Sequence, residues 1–233
     1  MNKVSVFLPT RSGSERVVNK NTKRFAGVEG GLLAIKLGQL VKCDNIDEIV
    51  LSTNDEKSIE IAENFKVIST KLKVILRPNE LALSTTDLVD LVNYVPTICN
   101  NEHILWTHVT SPLVDTLDYS YAIELYLKNI NEGYDSLMSV KAIQNFMWSE
   151  EENRVTNKQQ DDDKKWPRTQ DLIKMYEVNS AVFIAPKRVY KIEKDRVGIK
   201  PFLLEQNQIQ STDVDCEEDF KLAEILYEKF KYN

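Results

Sequence analysis

The chain has few of the residues on which several common functional sites depend. It contains only two histidines and three cysteines in 233 residues, and Cys43, Cys99 and Cys216 lie far apart in the sequence. This spacing offers neither a CxxC metal motif nor a disulfide framework. The shortage of histidine also removes the usual base of a hydrolase triad and the usual ligands of zinc. We therefore expect reduced cysteines with a structural role.

Long apolar runs and blocks of one charge are equally scarce. No apolar run approaches the ~20 residues that span a bilayer, and the first residues lack a basic segment followed by an apolar signal core. The net charge is −6, and no block of five or more basic residues occurs, which argues against nucleic acid as the main partner. The sequence predicts a cytoplasmic protein that binds neither membranes nor nucleic acids.

Apolar runs of strand length alternate with segments of helical period along most of the chain. This alternation predicts an α/β fold with a mostly parallel sheet, and the length suits a single domain over residues 1–233. A helix is expected from about residue 56 to 65, and Thr86 is expected to cap the next one. The predicted strands cover residues 4–8, 49–51, 73–76, 104–109, 136–141 and 181–185, with an edge strand at 202–204.

The first four predicted strands each end in a polar or cationic turn. These turns are Thr10-Arg11, Ser52-Thr53, Arg77-Pro78 and Thr110-Ser111. In open α/β sheets ligands bind beyond the carboxyl ends of the strands. The four turns are therefore predicted to meet around one crevice.

The segment after the first strand is a candidate anion site. Gly13 lies between two small hydroxyl residues, and glycine accepts the positive φ that turns backbone N–H groups toward an anion. Up to three cations surround this turn, which suits a polyphosphate better than a single carboxylate; they are Arg11, Arg16 and Lys20. The alternative is a solvated loop with ordinary surface cations.

A pair of carboxylates near the end of the chain is a candidate metal site. In an extended segment Asp213 and Asp215 point to the same side, and Mg²⁺ takes one or two carboxylates together with substrate phosphate oxygens. The alternative is that Asp215 caps the last helix, with Glu218 completing a capping box; this leaves Asp213 unexplained. The glycine-rich motifs of common nucleoside triphosphatases and dinucleotide-binding proteins are missing.

Regular patterning fails between residues 144 and 175. This segment carries Trp148, Trp166 and an acidic run at 161–163 that is expected to be a solvated turn. So long a structureless loop is improbable inside a compact domain. We expect an arm that packs on a second subunit, with the two tryptophans as its buried anchors.

Taken together, these motifs resemble the CMP-sugar cytidylyltransferases, the group that contains the CMP-sialic acid synthetases. The likeness recurs in order along nearly the whole chain. The matching segments are 11–14 with 19–21, 52–55, 77–78 with 80–82, 110–113, 135–136, 170–171 with Tyr176 and Asn179, and 213–215.

The resemblance implies transfer of CMP from CTP to the anomeric hydroxyl of an acidic nine-carbon sugar, with release of pyrophosphate and a requirement for Mg²⁺. It implies a Rossmann-like three-layer α/β/α fold in which residues 144–175 form a dimerisation arm, and hence a homodimer. The implied catalytic residues are Arg11, Lys20, Asp213 and Asp215, and the two aspartates would hold the metal. The implied nucleotide-binding residues are Leu8, Thr10, Arg11, Ser12, Gly13, Ser14, Lys20, Asn21 and Arg77. The implied sugar-binding residues are His108, Lys141, Arg168, Gln170 and Tyr176.

Three departures from the family pattern leave the substrate open. Glu15 stands where the family usually has lysine, His108-Val109 replaces the usual Gln-Pro, and Ser180 replaces a glycine. A sugar of the legionaminic or pseudaminic type is therefore as compatible as sialic acid. The alternatives are a nucleotidyltransferase for another acidic sugar, such as the eight-carbon acid of lipopolysaccharide, and a catalytically silent nucleotide-binding protein.

Overall fold

A seven-stranded sheet forms the centre of the computed structural model, which describes residues 3–13, 16–159 and 164–231. A separate two-stranded hairpin lies outside this sheet. The strands in chain order are β1 (Val4–Pro9), β2 (Glu48–Thr53), β3 (Leu72–Leu76), β4 (His103–Trp106), β5 (Ser136–Ile143), β6 (Trp148–Ser149), β7 (Arg154–Val155), β8 (Met175–Pro186) and β9 (Pro201–Glu205).

The strand order in the main sheet is β3-β2-β1-β4-β8-β5-β9. Strand β8 runs antiparallel to β4 and β5, whereas the other pairs are parallel. The predicted mostly parallel sheet is thus confirmed. The chain builds outward from β1 through β2 to β3 and then returns to place β4 on the other side of β1. This reversal creates a crevice at the carboxyl ends of β1 and β4.

Helices cover both faces of the sheet. The helices are α1 (Gly31–Val41), α2 (Glu56–Lys66), α3 (Leu88–Ile98), α4 (Thr116–Ile130), α5 (Lys187–Ile192) and α6 (Glu217–Lys231). One apolar cluster joins the sheet to α1, α4 and α6, and a second joins it to α3 and α5. Strand β1 serves both clusters, because Val6 and Leu8 face the first and Phe7 faces the second. No helix within the described ranges combines the length and apolar character needed to cross a membrane.

Several predicted boundaries of strands and helices were wrong. Strand β4 ends at Trp106 rather than at residue 109, and β8 begins at Met175 rather than at residue 181, because it pairs with the end of β5. The cap of α3 is Asp87, whose carboxylate accepts the Val89 N–H. Thr86 instead donates its hydroxyl to the Glu80 carbonyl.

A buried lysine joins α1 to the turn that follows β4. Lys36 is fully buried, and its Nζ donates to the carbonyls of Ser111 (2.8 Å) and Val114 (3.4 Å) and to the hydroxyl of Tyr119 (2.6 Å). A buried ammonium requires partners of this kind. Lys36 therefore connects the turn at Ser111 to α1 by direct hydrogen bonds.

The arm at residues 144–175 has more internal order than the sequence indicates. It contains the β6–β7 hairpin, and the Asn157 amide donates to the carbonyls of Asn145 (2.8 Å) and Ile173 (3.2 Å). Trp148 and Trp166 stack on each other, yet they are 48% and 57% exposed. Their burial as anchors against a second subunit stays a prediction. The acidic run at 161–163 lies outside the described residues.

Candidate active site

A cavity of about 720 Å³ opens at the switch point between β1 and β4. Its walls come from the ends of these two strands, from the segment leading into α3, and from two residues nearer the other edge of the sheet, Ser180 and Arg196. The lining residues that sequence reasoning proposed for the site are Thr10, Arg11, Arg16, Lys20, Asn21, Arg77, His108 and Asp215. The predicted meeting of strand-end turns around one crevice is confirmed for the first, third and fourth turns.

Positive charge dominates this cavity although the chain as a whole carries a net charge of −6. Among the described residues five cations line it against two carboxylates, and one of these, Asp87, is already engaged as the cap of α3. Cations lining a cleft with apolar walls raise the local concentration of anions. The lining cations are Arg11, Arg16, Lys20, Arg77 and Arg196. The arrangement favours a polyanionic ligand.

The loop after β1 adopts the predicted left-handed turn, with Gly13 at φ +75°. The backbone N–H of Ser12, however, already donates to the side chain of Asn54 (3.0 Å). Ser12 and Gly13 line a small cleft of about 50 Å³ rather than the main cavity. Ser14 and Glu15 lie outside the described residues. The lining of the cavity by this loop therefore comes mainly from its cationic side chains.

Lys20 connects this loop to the acidic pair at the far end of the chain. Its Nζ donates to the Val214 carbonyl at 2.7 Å and lies 3.7 Å from Asp215 Oδ1. Arg16 Nη2 donates to the same carboxylate oxygen at 3.0 Å. Burial lowers the pKa of Lys20, and the Asp215 carboxylate opposes this shift. The candidate phosphate cations and the candidate metal carboxylates thus occupy one site.

The two aspartates flank a residue that belongs to the core. Val214 is fully buried, and its N–H donates to the Thr110 carbonyl, so Asp213 and Asp215 emerge on the opposite side of this extended segment. Burial raises the pKa of Asp213 against the effect of a hydrogen bond from Thr110. Within the described residues, Asp213 Oδ1 is buried and has no hydrogen-bond partner.

The alternative role of Asp215 as a helix cap is not what the structure shows. Asp219, in the first turn of α6, reaches back instead, and its Oδ2 accepts the N–H groups of Asp215 (3.1 Å) and Cys216 (2.9 Å). The Asp215 carboxylate turns instead toward Arg16 and Lys20. Both carboxylates of the pair are therefore directed away from the helix.

Arg77 is a buried cation at the end of β3. Its Nε and Nη2 donate to the Ser52 hydroxyl (3.2 Å) and the Ser52 carbonyl (2.5 Å). Burial lowers the pKa of Arg77 to about 10. By contrast, Leu8, which the resemblance includes among the nucleotide-binding residues, is fully buried in the core and does not line the cavity.

His108 lies at the end of β4 with its imidazole held as a neutral acceptor. The indole Nε1 of Trp106 can only donate, and it lies 3.0 Å from His108 Nε2. Burial, together with cations that include Arg196 and Arg77, lowers the pKa of His108 to about 3. At neutral pH the proton of the imidazole is therefore on Nδ1.

This shift gives His108 a measurable effect on stability. In the unfolded chain His108 has a pKa near 6.5 and binds a proton below that pH, whereas in the folded chain it stays neutral. The free energy of unfolding therefore falls as the pH drops from 6.5 toward 4.5. In His108→Gln this contribution, at most about 1.4 kcal/mol per pH unit, should vanish. Urea unfolding at several pH values measures it; wild-type and variant curves of equal slope would contradict the shift.

The remaining residues of the predicted sugar site do not line this cavity. Each has a partner on the arm or on the strands next to it. Lys141 lies 3.8 Å from Glu177, Arg168 pairs with Asp171 at 2.7 Å, Gln170 accepts a hydrogen bond from Gln144 through its carbonyl, and the Tyr176 hydroxyl donates to Glu205. Their role in sugar binding stays a prediction that involves a second chain.

Sequence reasoning missed three lining residues on the β4 and β8 side. Trp106 follows from no motif, because a tryptophan in a strand is read as core. Ser180 was noticed only as a departure from the family pattern. Arg196 lies in an irregular segment between α5 and β9 that carries no recognisable signal.

Comparison with known proteins identifies the family of this chain. Residues 5–231 match the cytidylyltransferase family profile. The chain belongs to that family. This cytidylyltransferase is therefore a nucleotidyltransferase that uses CTP, and the resemblance inferred from the motifs is confirmed.

Relatives with assigned activities cover nearly the whole of this cytidylyltransferase. A pseudaminic acid cytidylyltransferase from Campylobacter jejuni serotype O:23/36 is 26% identical, with coverage of 95% of this chain and 94% of that protein. An N-acylneuraminate cytidylyltransferase from Escherichia coli O18:K1:H7 is 25% identical over 97% of this chain, which spans 52% of that protein.

Solved structures share the fold of this cytidylyltransferase at low sequence identity. A CMP:2-keto-3-deoxy-manno-octonic acid synthetase complexed with CTP has a TM-score of 0.68 at 14% identity, with coverage of 97% of this chain and 99% of that one. A 4-diphosphocytidyl-2C-methyl-D-erythritol synthase from Anaerococcus prevotii has a TM-score of 0.65 at 12% identity, covering 95% and 94%. These similarities show the Rossmann-like α/β class.

Proposed function

We propose that this cytidylyltransferase transfers CMP from CTP to the anomeric hydroxyl of an acidic nonulosonic sugar and releases pyrophosphate. The observation that carries the proposal is one cavity in which strand-end cations meet Asp215 of the late acidic pair, while Oδ1 of Asp213 is buried two residues earlier in the chain. The names of the relatives, which act on pseudaminic acid and N-acylneuraminate, support an acidic nine-carbon acceptor. We place the reaction in the cytoplasm, in keeping with three cysteines that form no disulfide in the described part of the chain.

Asp213 and Asp215 are the residues that would hold Mg²⁺. The buried Asp213 oxygen without a partner supports this assignment, because such an oxygen is costly unless a cation or donor satisfies it. Carboxylate oxygens suit this hard cation, and with only two of them its shell would need phosphate oxygens and water. No group of three or more histidine, cysteine, aspartate or glutamate side chains placed to hold a metal ion occurs among the described residues. When bound, Mg²⁺ supplies charge neutralisation at the α-phosphate and the departing pyrophosphate.

The remaining lining residues act by binding and alignment. Arg11, Arg16 and Lys20 would hold the triphosphate, and Arg77 would lie beside the nucleoside at the end of β3. The acceptor oxygen forms a bond to the α-phosphorus while the bond from that phosphorus to the bridging oxygen breaks, and the hydroxyl proton passes to solvent. Such chemistry depends on positioning and on electrostatic stabilisation rather than on covalent work by the protein.

Pyrophosphate release tests the proposed function directly. The full chain is incubated with CTP, Mg²⁺ and a panel of acids comprising N-acetylneuraminate, legionaminate, pseudaminate and 3-deoxy-manno-octulosonate. We expect release that requires a nine-carbon acid and is lost without Mg²⁺. Fastest release with the eight-carbon acid would favour the alternative acceptor. CTP binding without release under any acid would favour a silent nucleotide-binding protein.

We further propose that the chain acts as a homodimer through its arm. The supporting observation is an exposed aromatic cluster on the arm, in which Phe146 packs against Trp166 and Trp148 stacks on it. Exposed apolar patches of this kind mark interaction sites. A partner arm could bring Lys141 or Arg168 of the second chain to the cavity. A sedimentation mass equal to one 26.9 kDa chain would contradict the dimer.

A further inference from the structure

Arg196 has a setting unlike that of the other cations in the cavity. Its guanidinium carbon lies 4.0 Å from the centre of the Phe183 ring and 4.8 Å from the centre of the Trp106 ring. Stacking on aromatic faces uses the flat surface of a guanidinium and leaves its N–H edge for other partners. The residue is half-buried and lines the cavity.

That edge has no partner within residues 3–13, 16–159 and 164–231. The guanidinium makes no hydrogen bond and no ion pair there, and the neighbouring Asp195 uses its carboxylate on the backbone N–H groups of Arg196 (2.6 Å) and Val197 (3.1 Å). Arg16 and Lys20 are by contrast engaged by Asp215, Arg77 by Ser52, and Arg11 by the Gly13 carbonyl of its own loop at 3.3 Å. Arg196 is thus the described lining cation that is most available for a ligand.

The position of Arg196 separates it from the cations proposed for the triphosphate. Those cations follow β1, whereas Arg196 is held by Trp106 of β4 and Phe183 of β8, on the side of the cavity that contains Ser180. Its charge also acts on His108. A second anion bound beside the nucleotide would therefore lie nearer to Arg196 than to the cations that follow β1.

We propose that Arg196 binds the carboxylate of the acidic acceptor sugar, through the N–H edge that Phe183 and Trp106 leave open. This assignment rests on the proposed function. A guanidinium matches a carboxylate with two parallel hydrogen bonds, and charge-assisted bonds of this kind are the strong ones. An apolar, aromatic wall behind the pair reduces competition from water. Arg196 thereby gives the site an acid-recognising group within a single chain, independent of Lys141 and Arg168.

Kinetics with acid and amide acceptors test this assignment. The variants are Arg196→Gln, which removes the charge, and Arg196→Lys, which keeps it without the planar fork; the control is Arg188→Gln, an exposed arginine on α5 that does not line the cavity. Substrates are the acid that wild type uses best and its carboxamide. We expect Arg196→Gln to lower kcat/KM for the acid by about 30- to 150-fold, with KM for CTP changed less than about threefold.

The carboxamide distinguishes binding of the carboxylate from a merely structural role. For wild type, kcat/KM for the carboxamide should be at least about 30-fold lower than kcat/KM for the acid. For Arg196→Gln the two kcat/KM values should be almost equal. If Arg196→Gln does not fold, Arg196→Lys should show a clearly weaker preference for the acid than wild type, because its ammonium keeps the charge but cannot form the two parallel hydrogen bonds. A variant that keeps the wild-type preference overturns the assignment and leaves the proposed function intact. A wild-type chain that binds CTP but uses no acid overturns both.

Discussion

Replacing Asp213 with asparagine is expected to reduce pyrophosphate release at least about 1,000-fold while CTP affinity changes less than about tenfold. The substitution keeps the shape of the side chain but removes the negative charge of a carboxylate whose Oδ1 is buried without a partner in the described chain, which leaves Asp215 as the other carboxylate of the pair. Groups aimed at charge that develops during the reaction affect turnover far more than ground-state binding. Initial rates with CTP, Mg²⁺ and the best acid give turnover, and calorimetry gives CTP affinity.

The control for this experiment is Glu217→Gln, four residues along the chain. Glu217 pairs with Lys23 at 3.0 Å and does not line the cavity, so activity should change less than about threefold. Misfolding is an improbable cause of lost activity in Asp213→Asn, because burial raises the pKa of Asp213 and the change removes a half-buried charge. Near-normal turnover in Asp213→Asn would exclude this carboxylate from the mechanism.

Replacing Lys36 with methionine should lower the free energy of unfolding by about 2 to 4 kcal/mol. Methionine fills much of the space of the side chain but donates no hydrogen bond, so the buried carbonyls of Ser111 and Val114 lose the Lys36 donor. The turn at Ser111 is also the one whose Thr110 carbonyl accepts the Val214 N–H. Urea unfolding measures the stability, and the midpoint should fall without a change in slope.

Lys42→Met provides the comparison for this substitution. Lys42 follows the last residue of α1 and is exposed, so the same chemical change should alter stability by less than about 0.5 kcal/mol. A loss in Lys36→Met no larger than in Lys42→Met would show that the buried ammonium contributes little. Lys36 would then not be the residue that stabilises the turn after β4.

The cavity could be located from sequence because its main determinants are local. A strand followed by a polar or cationic turn is visible in ten residues, and the parallel arrangement then requires several such turns to meet at one edge. Arg11 and Arg77 were found in this way, whereas Lys20 followed from its nearness to the turn at Gly13 and Asp215 from its spacing to Asp213. The left-handed turn at Gly13 was predicted from the properties of glycine alone.

What escaped prediction depends on contacts between distant parts of the chain. Arg196 is positioned by aromatic faces on two strands, and nothing near it in the sequence signals that contact. The extra length of β8 comes from pairing with β5, and the Ser12 N–H is taken by an asparagine that follows β2. The exposed tryptophans of the arm also depend on a distant contact, because a partner on a second chain cannot be inferred from the residues next to them in the sequence.

The pairing of β1 with both β2 and β4 has a consequence for the order of folding. Ser5 of β1 pairs with Glu48 of β2 on one side, and Val4 of β1 pairs with His103 of β4 on the other. On a ribosome, the first wall of the cavity therefore emerges roughly a hundred residues before the second, and the acidic segment at 213–215 emerges later still. An early nascent chain presents β1 with one open edge, so a trapped intermediate should be vulnerable there to pairing with a foreign strand.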